Sequence, residues 1–165
     1  MDDSTITLQR ATPADLHALL KLIAEFYQVD GHSFDERRIQ GALVPLLEHD
    51  LFGKVYLIGG QEGLPPASVG DPAGYVVVTW GYSLESGGRE ALIDEIFVRE
   101  RGIGNGGKAL QRLLHQLHTE GIKVVFLETE RANDRARKFY QRFGFKADNS
   151  IWMSQSLHAR LNTQS

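Results

Sequence analysis

Apolar residues recur along this chain with two periods, and the alternation between them lays out its elements. Ile6 to Gln9 alternates as a short strand. Thr12-Pro13-Ala14-Asp15 then has the form of a helix start: a hydroxyl N-cap, proline in the first turn and an acidic partner three residues after the cap. Leu16, Leu19, Leu20, Ile23 and Tyr27 keep helical spacing, which predicts a helix ending before Asp30-Gly31-His32. Ser33 with Glu36 offers a cap for a second helix whose apolar positions are Ile39, Leu43, Leu46 and Leu47. Pro45 is expected to kink or split that helix. Val55 to Ile58 reads as a strand, and Gly59 to Pro72 as a loop rich in Gly and Pro.

Two further strand-like runs, Gly74 to Trp80 and Ala91 to Val98, flank Ser83-Leu84-Glu85-Ser86-Gly87-Gly88, which predicts an antiparallel hairpin. From Gly107 to Glu120, Leu110, Leu113, Leu114 and Leu117 share one helical face, with Gly121 as the stop. Lys123 to Glu128 is a β-rich run. Asn133 caps a last helix through Arg142, Gly144 closes it, and Phe145 with Ile151 to Leu157 is expected to supply terminal strand material. The order is α+β with one embedded β-α-β unit: the strand Ile93 to Val98, the helix from Gly107 and the strand Val124 to Glu128.

Composition narrows the function classes. A chain of 165 residues suits a single domain over 1–165, and 42% hydrophobic with 24% charged residues is ordinary globular composition. A formal net charge of -3, with no Lys/Arg-rich block, argues against a nucleic-acid binder. The absence of cysteine excludes disulfides, Cys-ligated zinc and thiolate nucleophiles. The six histidines are scattered without metal-ligand spacing, so no metal is expected. Met1-Asp2-Asp3-Ser4-Thr5 is acidic and leads into no apolar run, so neither a signal peptide nor a membrane partner is expected, and the cytoplasm is the expected location.

The chemistry concentrates in Arg101-Gly102-Ile103-Gly104-Asn105-Gly106-Gly107-Lys108, between a strand and a helix. Exposed N–H groups and the helix dipole make such a loop a phosphate site, and residues without side chains let phosphate approach. As Gly102-x-Gly104-x-x-Gly107 it matches a dinucleotide fingerprint, with Glu128 about 20 residues on as that motif expects. Against this, the tail after Glu128 is too short for the remaining parallel strands. As Gly102-x-x-x-x-Gly107-Lys108 it approaches a P-loop, but Ala109 replaces the hydroxyl residue that would hold magnesium.

As Arg101-x-x-Gly104-x-Gly106 the loop resembles the pyrophosphate loop of the GCN5-related N-acetyltransferase (GNAT) superfamily. The strand Leu92-Ile93-Asp94-Glu95-Ile96-Phe97-Val98 is similar to that family's fourth strand, and Asn133 to Phe145 to its Asn-x-x-Ala-x-x-Phe-Tyr-x-x-x-Gly-Phe segment. The resemblance covers residues 91 to 146. This sequence departs from it by one extra residue before Ala109-Leu110, and Arg99-x-x-Gly102-x-Gly104 is a second register for the same motif.

The resemblance implies a mixed, mostly antiparallel sheet flanked by helices, and direct transfer of acetyl from acetyl-coenzyme A to an amine. The implied cofactor contacts are Phe97, Val98, the loop Arg99, Arg101, Gly102, Ile103, Gly104, Asn105, Gly106, Gly107 and Lys108, and then Asn133 and Tyr140. The N–H of Val98 would polarise the thioester carbonyl, and Tyr140 would supply a proton to the leaving thiolate. Glu95 is favoured as base or water-orienting residue, with Asp94 as the alternative. Carboxyls partly buried beside each other have raised pKa values, and strand alternation lets only one of two neighbours face a given cleft. Arg135 and Lys138 are further candidates for phosphate.

Acceptor contacts in the family come from the first helices and from the hairpin before the fourth strand. Here those regions hold Glu25, Tyr27, Asp30, Asp35, Trp80, Tyr82 and Glu85, a set that suits a small cationic amine such as a polyamine or amino sugar. A protein N-terminus or lysine is the rival acceptor, and a non-catalytic acyl-coenzyme A sensor or a dinucleotide module the rival function. A monomer or homodimer is expected.

Overall fold

The computed structural model describes residues 6–59, 72–100, 102 and 104–157. The elements are β1 (Leu8–Arg10), a 3-10 turn (Pro13–Asp15), α1 (Leu16–Asp30), α2 (Glu36–Glu48), β2 (Gly53–Ile58), β3 (Gly74–Ser83), β4 (Gly88–Val98), α3 (Asn105–Thr119), β5 (Val124–Leu127) and α4 (Asp134–Gln141). The chain divides into two compact units, residues 1–128 and 129–165.

In the first unit the strands form one sheet in the order β1-β2-β3-β4-β5. The first three pairings are antiparallel and β4–β5 is parallel, with α3 as the crossover. The fold is therefore α+β with a mixed sheet and one β-α-β unit, as the residue pattern and the family resemblance anticipate.

Side-chain parity divides the sheet. Val55, Leu57, Tyr75, Val77 and Phe97 share one face and are buried with Leu19, Leu22 and Ile23 of α1 and Leu43 and Leu47 of α2. The fully buried Tyr56, Ile58, Val76 and Val78 point to the other face. There Gln116 of α3 donates to the Tyr56 hydroxyl at 3.1 Å, and α3 buries Ala109, Leu110, Leu113 and Leu117.

The local signals hold at several boundaries. The Asp15 carboxylate accepts from the Thr12 N–H at 2.8 Å, and Gly31, at φ 75°, ends α1. Two helix expectations are corrected. The cap of α2 is Asp35, whose Oδ1 accepts from the Arg38 N–H at 3.1 Å, so Ser33 stands outside the helix. Pro45 does not split α2, because it lies in the final turn, where one missing N–H leaves the preceding helical bonds intact. The helix α3 opens at Asn105, two residues before the apolar pattern starts.

The loop read over 59–72 lies largely outside the described residues. In the second unit, α4 begins at Asn133, whose Oδ1 accepts from the Ala136 N–H at 3.0 Å. The expected terminal strand is absent from 145–157; Ile151, Trp152, Met153 and Leu157 are exposed there without sheet pairing. An apolar run carries no register by itself, and only a partner strand converts it to sheet. No helix among the described residues is long and apolar enough to cross a membrane.

Candidate active site

Glu95 lies on the sheet face covered by α1 and α2, opposite Val77 of β3. The Tyr27 hydroxyl, from α1, donates to its Oε1 at 2.9 Å, and the Tyr75 hydroxyl, from β3, donates to its Oε2 at 2.7 Å. Each carboxylate oxygen thus has a phenol partner. Tyr75 is fully buried, and Tyr27 is half-buried with its ring edge-on to His32 and Phe34 at 5.8 and 6.1 Å.

Burial pushes the Glu95 carboxyl pKa up; the two phenol hydrogen bonds pull it down, the Asp94 charge pushes it up and His32 lowers it, leaving it raised. Tyr27 is pushed up to about 12, first by burial and then by its hydrogen bond to Glu95. Tyr75 is raised by burial and by the Glu95 charge. Both phenols therefore stay protonated at neutral pH and act as donors.

The register runs Val77–Glu95 and then Val78–Ile93, so Asp94 has no counterpart on β3 and forms a β-bulge. In a regular strand Ile93 and Glu95 would share a face; here they pair with neighbours that point to opposite faces. The sequence expectation that only one of Asp94 and Glu95 can face the cleft relies on strict alternation, and the bulge suspends it. The Asp94 charge acts on Glu95, Tyr27 and Tyr75 alike. Asp94 is exposed, and partial desolvation raises its own pKa.

Beyond the bulge, the Arg99 N–H donates to the Ala73 carbonyl at 2.9 Å, which makes Gly74 and Val98 a non-hydrogen-bonded pair. The Val98 N–H accordingly faces away from β3, toward the side on which β5 pairs only with Glu90 to Ile93. Phe97 sends its side chain into the core, so it can present only backbone.

The loop then leads to α3 through Gly102 and Gly104, at φ 95° and 90°, left-handed conformations that favour glycine. The first helical bond runs from Lys108 N–H to Gly104 O, so the N–H groups of Asn105, Gly106 and Gly107 open the helix with no acceptor inside it. Such open N–H groups at a helix start are suited to an anion, and the exposed Lys108 adds positive charge beside them.

Arg101 and Ile103 lie outside the described residues. Arg99, the arginine of the second register, forms a bidentate ion pair with Glu25 of α1: Nε to Oε2 at 2.6 Å and Nη2 to Oε1 at 2.8 Å. Its Nη1 also donates to the Pro72 carbonyl at 3.0 Å. The pair ties α1 to the end of β4, and it joins a residue expected at the acceptor to one expected at the phosphates.

Of the other acceptor candidates, Tyr27 is at Glu95, whereas Trp80 and Tyr82 have the parity of Val78 and point to the α3 face. Trp80 packs there under Arg89, with the guanidinium 4.9 Å from the ring centroid. Glu85 is in the exposed hairpin turn before β4, whose first residue, Gly88, is already about 20 Å of strand from Glu95. Sequence reasoning missed Tyr75, His32, Phe34 and Arg38, whose charge lowers the Tyr27 pKa.

In the second unit, Tyr140 stacks edge-on with Phe139 and Phe145 at 5.1 and 5.8 Å, and burial raises its phenol pKa. Arg135 and Lys138 are exposed. Among the described residues no His, Asp or Glu cluster is arranged to hold a metal ion.

The framework of the site is a mixed sheet whose fourth strand bulges at a carboxylate pair and leads into a glycine-opened helix. Residues 16–145 match the acetyltransferase (GNAT) family, and the chain belongs to that family. An integron cassette protein from the mobile metagenome of Cole Harbour Salt Marsh is similar in structure, with TM-score 0.76 and 29% identity over 91% of this chain and 90% of that one. A putative acetyltransferase from Arthrobacter sp. FB24 aligns with TM-score 0.74 and 22% identity over 92% and 96%. An aminoglycoside acetyltransferase from an uncultured soil metagenomic sample, solved in complex with sisomicin, aligns with TM-score 0.69 and 17% identity over 94% and 98%. No curated protein matches the chain.

Proposed function

We propose that this protein transfers the acetyl group of acetyl-coenzyme A to a primary amine, with a small cationic amine as acceptor. The observation that carries this reading is the order of groups along β4 and into α3: a phenol-held Glu95, the outward N–H of Val98 three residues later, and the open N–H groups of Asn105 to Gly107.

Acetyl-coenzyme A supplies the acetyl group as a thioester. The N–H groups at the start of α3, with Lys108 and Arg101, hold its pyrophosphate, and Asn133 holds the pantetheine arm by its place in the family motif. The Val98 N–H hydrogen-bonds the carbonyl oxygen and stabilises the negative charge that grows there as the amine nitrogen attacks carbon. Glu95 takes the amine proton, directly or through a water; the roughly 10 Å of strand from Glu95 to Val98 leaves room for one. As the C–S bond breaks the sulfur must take a proton, and by its place in the family motif the protonated Tyr140 is the residue proposed to supply it. No cysteine is needed.

Asp94, Glu95, Asp30 and the ring of Tyr27 favour an acceptor that arrives as a cation and loses its charge beside a carboxylate. A non-cationic acceptor, or a protein N-terminus or lysine, is the competing outcome.

Thermal unfolding with added ligand tests the donor. At a hundredfold excess over its Kd, coenzyme A adds about 2.7 kcal/mol of stability, which for a domain of this size raises Tm by roughly 5–10 °C. A comparable rise with NAD and none with coenzyme A overturns the reading.

A further inference from the structure

We propose that Tyr75 is a positioning residue for acyl transfer, holding the Glu95 carboxylate in one orientation from inside the core while Tyr27 holds it from the cleft side. This deepens the reading of Glu95 as proton acceptor and rests on it.

The two phenols differ in what they can do. Tyr75 is fully buried between β2 and β4, and its ring packs against Phe26 and Phe97 at 6.4 and 6.1 Å. Its side chain is shut off from solvent, and its hydroxyl donates to Oε2 at 2.7 Å. A phenol needed only for packing would be served by phenylalanine at such a site. Tyr27 is half-buried on α1 and meets Oε1. With Oε2 held from below, Glu95 keeps one rotamer, and the remaining lone pairs of its carboxylate stay directed at the cleft.

The hydrogen bonds also govern charge. Burial alone drives Glu95 toward its neutral form, which cannot take a proton. The Tyr75 and Tyr27 bonds favour the ionised form against that drive. Asp94 beside this carboxyl on β4 disfavours its ionisation, and His32 after α1 favours it. Arg38 of α2 acts on Tyr27. Loss of the Tyr75 hydroxyl therefore moves the Glu95 pKa upward, because desolvation and Asp94 remain while one opposing bond is gone.

Tyr75→Phe tests this, since it removes one oxygen and keeps the ring. The Glu95 carboxyl is titrated directly by carbon NMR in the free protein, and kcat and KM are measured across pH. The expected result is a higher Glu95 pKa, an acid limb of the rate profile shifted up by the same amount, an unchanged KM for acetyl-coenzyme A, and activity recovered at higher pH. A lower Tm with an unmoved Glu95 titration overturns the proposal and leaves Tyr75 a packing residue. Should Tyr75→Phe not fold, Tyr75→Leu removes the same donor at Oε2 and Tyr27→Phe removes the one at Oε1, each with the same readout. An unmoved titration in whichever of them folds counts against the clamp. Failure of the underlying reading is distinct: a shifted Glu95 titration with an unshifted rate profile retains the clamp but removes Glu95 from the proton transfer.

Discussion

Glu95 works under opposed pulls, with burial and Asp94 keeping the proton on and two phenols drawing it off. Glu95→Gln is expected to lower kcat/KM by roughly 10²- to 10⁴-fold, the usual contribution of a general base, with affinity for acetyl-coenzyme A retained in a binding titration. Asp94→Asn removes the repelling charge, so the acid limb of the pH–rate profile moves down, opposite to its movement in Tyr75→Phe. An upward shift in Asp94→Asn would contradict the assigned electrostatics. The same pKa has a consequence for stability. A carboxyl raised on folding binds more protons in the native than in the unfolded state, so stability is lost as pH rises from the ordinary carboxylate range through the raised value. Glu95→Gln abolishes that loss, and its Tm at neutral pH should equal or exceed that of the parent while activity falls. The carboxylate pair was legible in the sequence as two acids in an apolar strand. Its partners were not, because Tyr75 and Tyr27 stand 20 and 68 residues away and meet Glu95 only after the sheet and α1 have packed.

Helices were legible where a cap or glycine marked them, as at Asn133 and Gly31, and shifted where two acceptable caps competed. Ser33 and Asp35 both precede the second helix, and the carboxylate holds the Arg38 N–H. Asp35→Ala should cost about 1 kcal/mol in denaturant unfolding, whereas Ser33→Ala should leave the midpoint in place; the reverse ranking would restore the sequence expectation. The bulge at Asp94 was not legible at all, since no glycine marks it and period-2 alternation reads straight through the acidic pair. Close strand approach was equally silent. A Cβ on Gly74 would stand 2.0 Å from the Phe97 carbonyl oxygen, opposite Val98. Gly74→Ala must displace backbone beside Val98, whose N–H is proposed to polarise the thioester. It should lower kcat more than it raises the KM for the amine, as steady-state kinetics would show.

At the scale of the molecule, the β3–β4 hairpin and the β-α-β unit of β4, α3 and β5 were legible from element order, whereas the places of β1 and β2 in the sheet were not. The family match over 16–145 agrees with that reading. The terminal strand failed because Ile151 to Leu157 has strand-like residues but no pairing partner among the described residues. The acceptor stayed a class for a related reason: Trp80, Tyr82 and Glu85 have suitable chemistry, but sheet parity and distance keep them from Glu95. The central claim is transfer to an amine, and free-thiol release from acetyl-coenzyme A across a broad panel of amines tests it most directly. The account predicts stoichiometric thiol release and acetylated product with one or more small cationic amines, and release slowed by roughly 10²- to 10⁴-fold in Glu95→Gln at the same pH. Tight binding of acetyl-coenzyme A with no thiol release above background for any amine would contradict it and leave a sensor in its place.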